Sequence, residues 1–188
     1  MSQLSGTWNL DPTFSSVDFV LRYAMVNKFR GKFTDYSATI EFDQEHPENS
    51  RAQAAIKMAS LNTLHSERDA HVRNADFFDT ENYPEATFAS TAFNVDEHGT
   101  GTVDGELTLK GTTHPVTFEV ETFGIEEDAY GAVRLGFQAT TTIDRAAFGI
   151  DFNMPIKTGG VMISNEIDIE INGSAIPVSY THLTLPTN

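Results

Sequence analysis

Hydrophobic and polar residues alternate one by one through most of the chain. Val17, Phe19, Leu21 and Tyr23 share one parity, with Asp18 and Arg22 on the other. Ala38, Ile40 and Phe42 repeat the pattern, as do Val103, Gly105, Leu107 and Leu109, then Val116, Phe118 and Val120. The longest runs are Val133 to Ile143 and Val161 to Ile171. Successive side chains of a strand point to opposite faces, so each run predicts a strand with one face on a core. Turn formers separate the runs: Asp96-Glu97-His98-Gly99 after Val95, and Lys110-Gly111 between two strands close enough to form a hairpin. About eight strands in sequence-neighbour order predict an all-β fold, an eight-stranded antiparallel barrel or a sandwich.

One segment breaks the period. Ser66-Glu67-Arg68-Asp69 has the form of a capping box, and one or two short helices are expected from there to Pro84. A helical turn is expected at Asp144–Phe148, with Arg145 closing the barrel end through a carboxylate or backbone carbonyls. Residues 6–173 are read as the barrel domain. Residues 174–188, with Pro177 and Pro186 and no sustained period, are read as a non-native or disordered tail.

The charge pattern narrows the partners. With 12 basic and 27 acidic residues the formal charge is −15, which repels phosphate backbones and argues against nucleic-acid binding. The first residues show neither a basic stretch nor an apolar core of a leader, and no run reaches the length of a transmembrane helix, so a cytoplasmic location is expected. There is no cysteine, which excludes disulfides, thiolate nucleophiles and cysteine-bound metal.

Local catalytic signatures are absent: no phosphate-binding glycine loop, nucleophile elbow or paired histidines at helical spacing. Neither a catalytic residue nor a metal site is expected. The 14 phenylalanines against 5 tyrosines are either core filler or the lining of a lumen, because a barrel of about eight strands can be packed solid or hold one ligand. The densest titratable cluster is Glu67, Arg68, Asp69, His71 and Arg73. It reads either as helix electrostatics, with Asp69 and Arg73 paired one turn apart, or as cations at a barrel mouth.

Several motifs then occur in one order: Trp8-Asn9-Leu10-Asp11-Pro12, Lys28-Phe29-Arg30-Gly31-Lys32-Phe33, Arg68-Asp69-Ala70-His71, Asp76-Phe77-Phe78-Asp79, Tyr83-Pro84-Glu85-Ala86, Gly105-Glu106-Leu107-Thr108-Leu109-Lys110-Gly111, and Ile143-Asp144-Arg145 with Phe148-Gly149. This series resembles the YceI-like family of polyisoprenoid-binding proteins, over roughly Gly6 to Ile171. The resemblance implies a lipocalin-like barrel with a short helical insertion. It also implies a long-chain lipid in the lumen: an isoprenoid quinone, a polyprenyl phosphate or a fatty amide. The candidate lumen residues are Val17, Phe19, Leu21, Tyr23, Phe33, Phe118, Leu135, Phe137 and Phe148. Candidate head-group partners are Arg68, His71, Arg73 and Tyr23, with the insertion as a lid.

Two positions depart from the family, which commonly has histidine where this chain has Phe14 and Tyr23. Neither side chain carries charge near neutral pH, which favours a neutral head group such as a quinone. The competing readings are an enzyme acting on such a lipid and a filled barrel working through a protein partner. Homodimerisation is left open.

Overall fold

The computed structural model describes residues 4–178. Eleven strand segments form: β1 Gly6–Leu10, β2 Ser16–Tyr23, β3 Asn27–Phe33, β4 Tyr36–Phe42, β5 Arg51–Lys57, β6 Leu61–Asn62, β7 Glu85–Val95, β8 Gly101–Leu109, β9 Thr112–Glu127, β10 Val133–Asp144 and β11 Glu166–Pro177. They make eight barrel strands because three are bent into halves. β1 pairs with β4 while β2 pairs with β3, so β1–β2 and β3–β4 are the two arms of one bent hairpin. The third bent strand is β5–β6: β5 pairs with β4, and β6 crosses to β3. The bend between β1 and β2 is fixed by Asp11, whose carboxylate accepts the Thr13 backbone N–H at 3.0 Å across Pro12.

Every pairing is antiparallel, and all but the closing pairs join strands consecutive along the chain. β11 closes the ring by holding both halves of the first strand: Ala175 faces Leu10 in β1, and Ile171 faces Val17 in β2. The all-β barrel is therefore the observed fold, and a sandwich is excluded. Lys110 and Gly111 (φ 50° and 74°) turn β8 tightly into β9, a conformation that asks for glycine.

The boundary expected at residue 173 falls too early. β11 continues through Ser174, Ala175 and Ile176 to Pro177, and Ala175 is fully buried against the opening strand. The small residues Gly173-Ser174-Ala175 hid the alternation, and a proline at a strand end removes no ladder bond that the sheet needs. The rest of the expected tail, residues 179–188, lies outside the described residues.

Among the described residues one α-helix forms, α1 at Ser66–Arg73, and turns occupy the segment after it. Its cap differs from the expected box. His65 is the N-cap, its Nδ1 accepting the Arg68 backbone N–H at 3.2 Å. The Asp69 carboxylate is buried and accepts from the Thr63 backbone N–H and hydroxyl, so it does not pair with Arg73. After β10, Asp144 caps a 3-10 turn at Arg145–Phe148.

The interior divides along the barrel axis. At the lower end Met58, Phe77, Leu109, Ile143, Phe148 and Ile150 cluster beneath the insertion. At the upper end Leu4, Trp8, Leu135 and Ala175 form a second cluster.

Candidate functional site

Between the two clusters lies a cavity of about 180 Å³ lined by residues from every strand of the ring. Its space originates in side-chain size. The inner face of β4 and β5 carries Ala38, Ala52 and Ala54, with Ala86 on β7 and Ala139 on β10. In register, Ala38 faces Ala54, which faces Phe88. The large side chains on the wall also lie down instead of projecting inward. The Phe88 ring covers Gly105, and the Phe137 ring covers Gly173, at positions where a methyl group would overlap the ring. Phe88 then meets Phe118 edge-on, with centroids 5.2 Å apart.

The lining contains no Asp, Glu, Lys, Arg or His. Burying a charge in such a lumen without a partner is expensive, so the cavity suits an apolar occupant. Of the polar residues at its wall, Tyr36 and Thr122 are partly buried, whereas Ser37, Gln53 and Thr87 alternate with the inward Ala38, Ala54 and Phe88 and have exposed side chains. Burial, and then the negative charges of Asp18 and Asp11, push the Tyr36 phenol above its ordinary value and keep it a neutral hydroxyl.

Of the expected lumen residues, Val17, Phe118, Leu135 and Phe137 line the cavity. Phe33 and Phe148 sit in the lower cluster instead. Phe19 is half-buried and tilts against Phe33 at 5.7 Å, which continues to Phe78 at 6.3 Å. Leu21 faces Phe29 on β3, and Tyr23 is 43% exposed and bridges to Ile163. Shared parity misled in two ways: Phe19 is paired with β11 inside the ring but its side chain lies over Gly31 and against Phe33, while Leu21 and Tyr23 lie past Val20, the last residue that β11 pairs. An inward parity there faces the insertion or solvent, not the lumen.

The expected head-group cations do not reach the cavity lining. Arg68 donates to the Thr63 hydroxyl and carbonyl at 2.8 and 2.7 Å, and its guanidinium lies 4.6 Å over the Phe29 ring. Arg73 donates to the carbonyls of Ala59 and Leu61 at 2.9 and 2.7 Å. His71 meets Asp76 at 2.9 Å and stands edge-on to Phe77 and Phe152. These groups stitch the insertion onto the β5–β6 bend and hold it as the cover of the lower end. Phe14 is exposed on the β1–β2 bend with the Arg134 guanidinium 4.3 Å from its ring.

The lining that sequence reading missed is the β5 part of the alanine wall, Ala52 and Ala54. Arg51–Lys57 reads RAQAAIK, with Ile56 as its one β-branched residue and no aromatic, yet β4 and β7 on either side hold it in the sheet. At the upper end Leu4 reaches into the cavity, its backbone N–H donating to Gln44 at 3.1 Å and its carbonyl accepting the Trp8 indole N–H at 2.8 Å.

Arg145 is buried and donates to the carbonyls of Ser164, Ile150 and Phe152 at 2.8–2.9 Å, which ties the long β10–β11 connection beneath the barrel. Among the described residues no group of three His, Cys, Asp or Glu side chains is placed to hold a metal ion, and no helix is long and apolar enough to cross a membrane.

Comparison with known proteins follows this geometry. The YceI-like domain model matches residues 8–175. A UPF0312 protein of Pseudomonas putida (strain W619) is 38% identical over 157 residues, covering 84% of this chain and 79% of the relative. The crystal structure of BcnA from Burkholderia cenocepacia superposes with a TM-score of 0.76 at 27% identity, covering 88% of this chain and 98% of that one. A polyisoprenoid binding domain from Saccharophagus degradans, implicated in plant cell wall breakdown, shares the fold with a TM-score of 0.64 at 18% identity, covering 90% and 98%.

Proposed function

Because the chain belongs to the YceI-like domain family, we propose that it binds and carries a long-chain apolar lipid, of isoprenoid type, in the barrel lumen. The observation that carries this reading is the uncharged cavity of about 180 Å³, kept open by an alanine wall inside a closed barrel. The shared fold with a polyisoprenoid binding domain supports the class of ligand. Each buried methylene contributes about 0.8 kcal/mol, so an apolar tail supplies ample driving force without a strong polar anchor.

Among the lipids considered, a quinone or a fatty amide fits better than a polyprenyl phosphate. The lining offers the Tyr36 hydroxyl but no cation, and Arg68, His71 and Arg73 are engaged elsewhere. Tyr36 replaces them as the candidate partner for a carbonyl or amide head group.

The test is organic extraction of the protein purified without detergent, followed by mass spectrometry. A neutral long-chain lipid in near-stoichiometric amount is expected. An empty protein that also fails to retain added quinone would favour a barrel acting through a protein partner. Chemical conversion of the added lipid would favour an enzyme.

A further inference from the structure

The β2–β3 tip and the β10–β11 connection join into one apolar, cation-flanked projection below the barrel. The Ala24 backbone N–H donates to the Met162 carbonyl at 2.7 Å, and the Ser164 N–H donates to the Arg22 carbonyl at 3.0 Å. Met25 packs onto Gly160, where any side chain would collide with its sulfur. The joined tip nevertheless leaves large apolar groups in water: Val26 is 77% exposed, Met25 57%, and Met154 and Val161 are exposed beside them. Contiguous exposed apolar side chains mark interaction surfaces more often than chance.

The backbone at the apex is also costly. Ala24 and Met25 both have left-handed φ, 49° and 64°, in a turn closed by the Val26 N–H on the Tyr23 carbonyl. Asparagine and glycine are the ordinary residues there, so an apolar methionine is held in a conformation that it disfavours.

Charge identifies the partner. The chain carries −15 overall, yet residues 16–33 contain Arg22, Lys28, Arg30 and Lys32 against Asp18 alone. Arg30 takes up Asp18 and Glu170 at 3.2 and 2.7 Å. Arg22 and Lys28 face each other one pair above the apex, Lys157 is exposed on the neighbouring loop, and none of the three is in an ion pair among the described residues. Beyond Val20, the last β2 residue paired with β11, the arm extends three residues to Tyr23, roughly 10 Å at the rise of a strand. That is comparable to the Debye length of about 8 Å at physiological salt, so the acidic barrel wall is partly screened from whatever the tip touches.

We infer that this tip docks on an anionic lipid bilayer, with Met25, Val26, Met154 and Val161 entering the head-group boundary and Arg22, Lys28 and Lys157 meeting lipid phosphates. An apolar apex ringed by cations is the arrangement that binds such surfaces. The inference goes beyond the cargo, because docking needs no lipid in the lumen.

Cosedimentation of the full chain with vesicles of equal parts phosphatidylcholine and phosphatidylglycerol tests it. Binding is expected at low salt, weakening as salt is raised, with little binding to pure phosphatidylcholine. Lys28→Glu with Lys157→Glu should weaken it about 25-fold or more, at about fivefold per cation lost. Met25→Glu with Val26→Glu should abolish it. All four side chains are exposed, and unchanged melting temperatures verify the fold. Failure of the wild type to sediment with anionic vesicles, equal binding to neutral ones, or unchanged binding by both variants would overturn the inference. So would self-association through the tip without vesicle binding, which would make the occupant a second copy of the chain.

Discussion

Filling the alanine wall separates a lined cavity from a packed core. Ala54 lies at the middle of that wall, between Ala38 and Phe88 in register, and faces the cavity of about 180 Å³. In Ala54→Phe the added ring points into empty space. If it fits, its burial contributes roughly 2 kcal/mol of apolar transfer at about 25 cal/mol per Å². Steric misfit subtracts from this, since overpacking a filled core costs about 1–3 kcal/mol. A barrel of equal or greater stability is therefore expected in urea denaturation. Lipid binding should move the other way. A ring displaces on the order of four methylenes of cargo, worth about 3 kcal/mol, or more than a hundredfold in Kd. The control is Ala55→Phe, one residue along and on the opposite face of the same strand. Retention of a long-chain quinone, measured by extraction at equal protein, gives the readout. Full retention by a stable Ala54→Phe would refute placement of the lipid in this cavity. Strong destabilisation of Ala54→Phe would show that the space is not free to be filled.

Three further outcomes are expected. Arg145→Ala should lower unfolding stability by about 3–5 kcal/mol, because it removes charge-assisted bonds to three carbonyls inside the structure; an unchanged melting temperature with lost lipid retention would make Arg145 a binding residue. The Arg134 guanidinium and neighbouring backbone N–H groups hold the Asp11 and Asp128 carboxyls below their ordinary values. Stability from these lowered carboxyls is fully present above the ordinary carboxylate value of about 3.9 and lost as pH falls through the folded values. Thermal melts should therefore drop in that acid range, and drop less steeply in Arg134→Met. Tyr36→Phe should leave the fold intact and weaken retention of a quinone more than that of a hydrocarbon of equal length; equal weakening of both would remove Tyr36 as a polar contact.

The alternation that identified the barrel also located half of its lining. Val17, Phe118, Leu135 and Phe137 lie on strands flanked on both sides within the ring, where parity alone decides in from out. Phe19 is flanked within the ring too, but its side chain lies over Gly31; Tyr23 lies on an arm that leaves the ring after Val20, and no local signal shows where a strand passes a rim that distant strands build. The cations at Arg68, His71 and Arg73 were visible as a cluster, but their partners, the carbonyls of Ala59, Leu61 and Thr63 and the Asp76 carboxylate, are defined by how the chain bends back on itself. The alanine wall was the least legible feature. Small residues make a cavity by what they lack, and a short alanine-rich segment carries no strand signature of its own. Net charge is a sum: a total of −15 conceals a basic tip.

The pairing of β11 with both halves of the first strand has a consequence for biosynthesis. A growing chain can pair each strand with its predecessor as it emerges, but the ring stays open until its final strand is made. Until then β1 and β2 expose a free edge, and the alanine-lined inner face is accessible to solvent and to other chains. Closure is thus a late, long-range event, the kind that folds slowly and is prone to misassembly. On the proposed lipid-binding function, cargo is enclosed at the moment of closure or admitted afterwards, so conditions that slow the last pairing should alter how much lipid is retained.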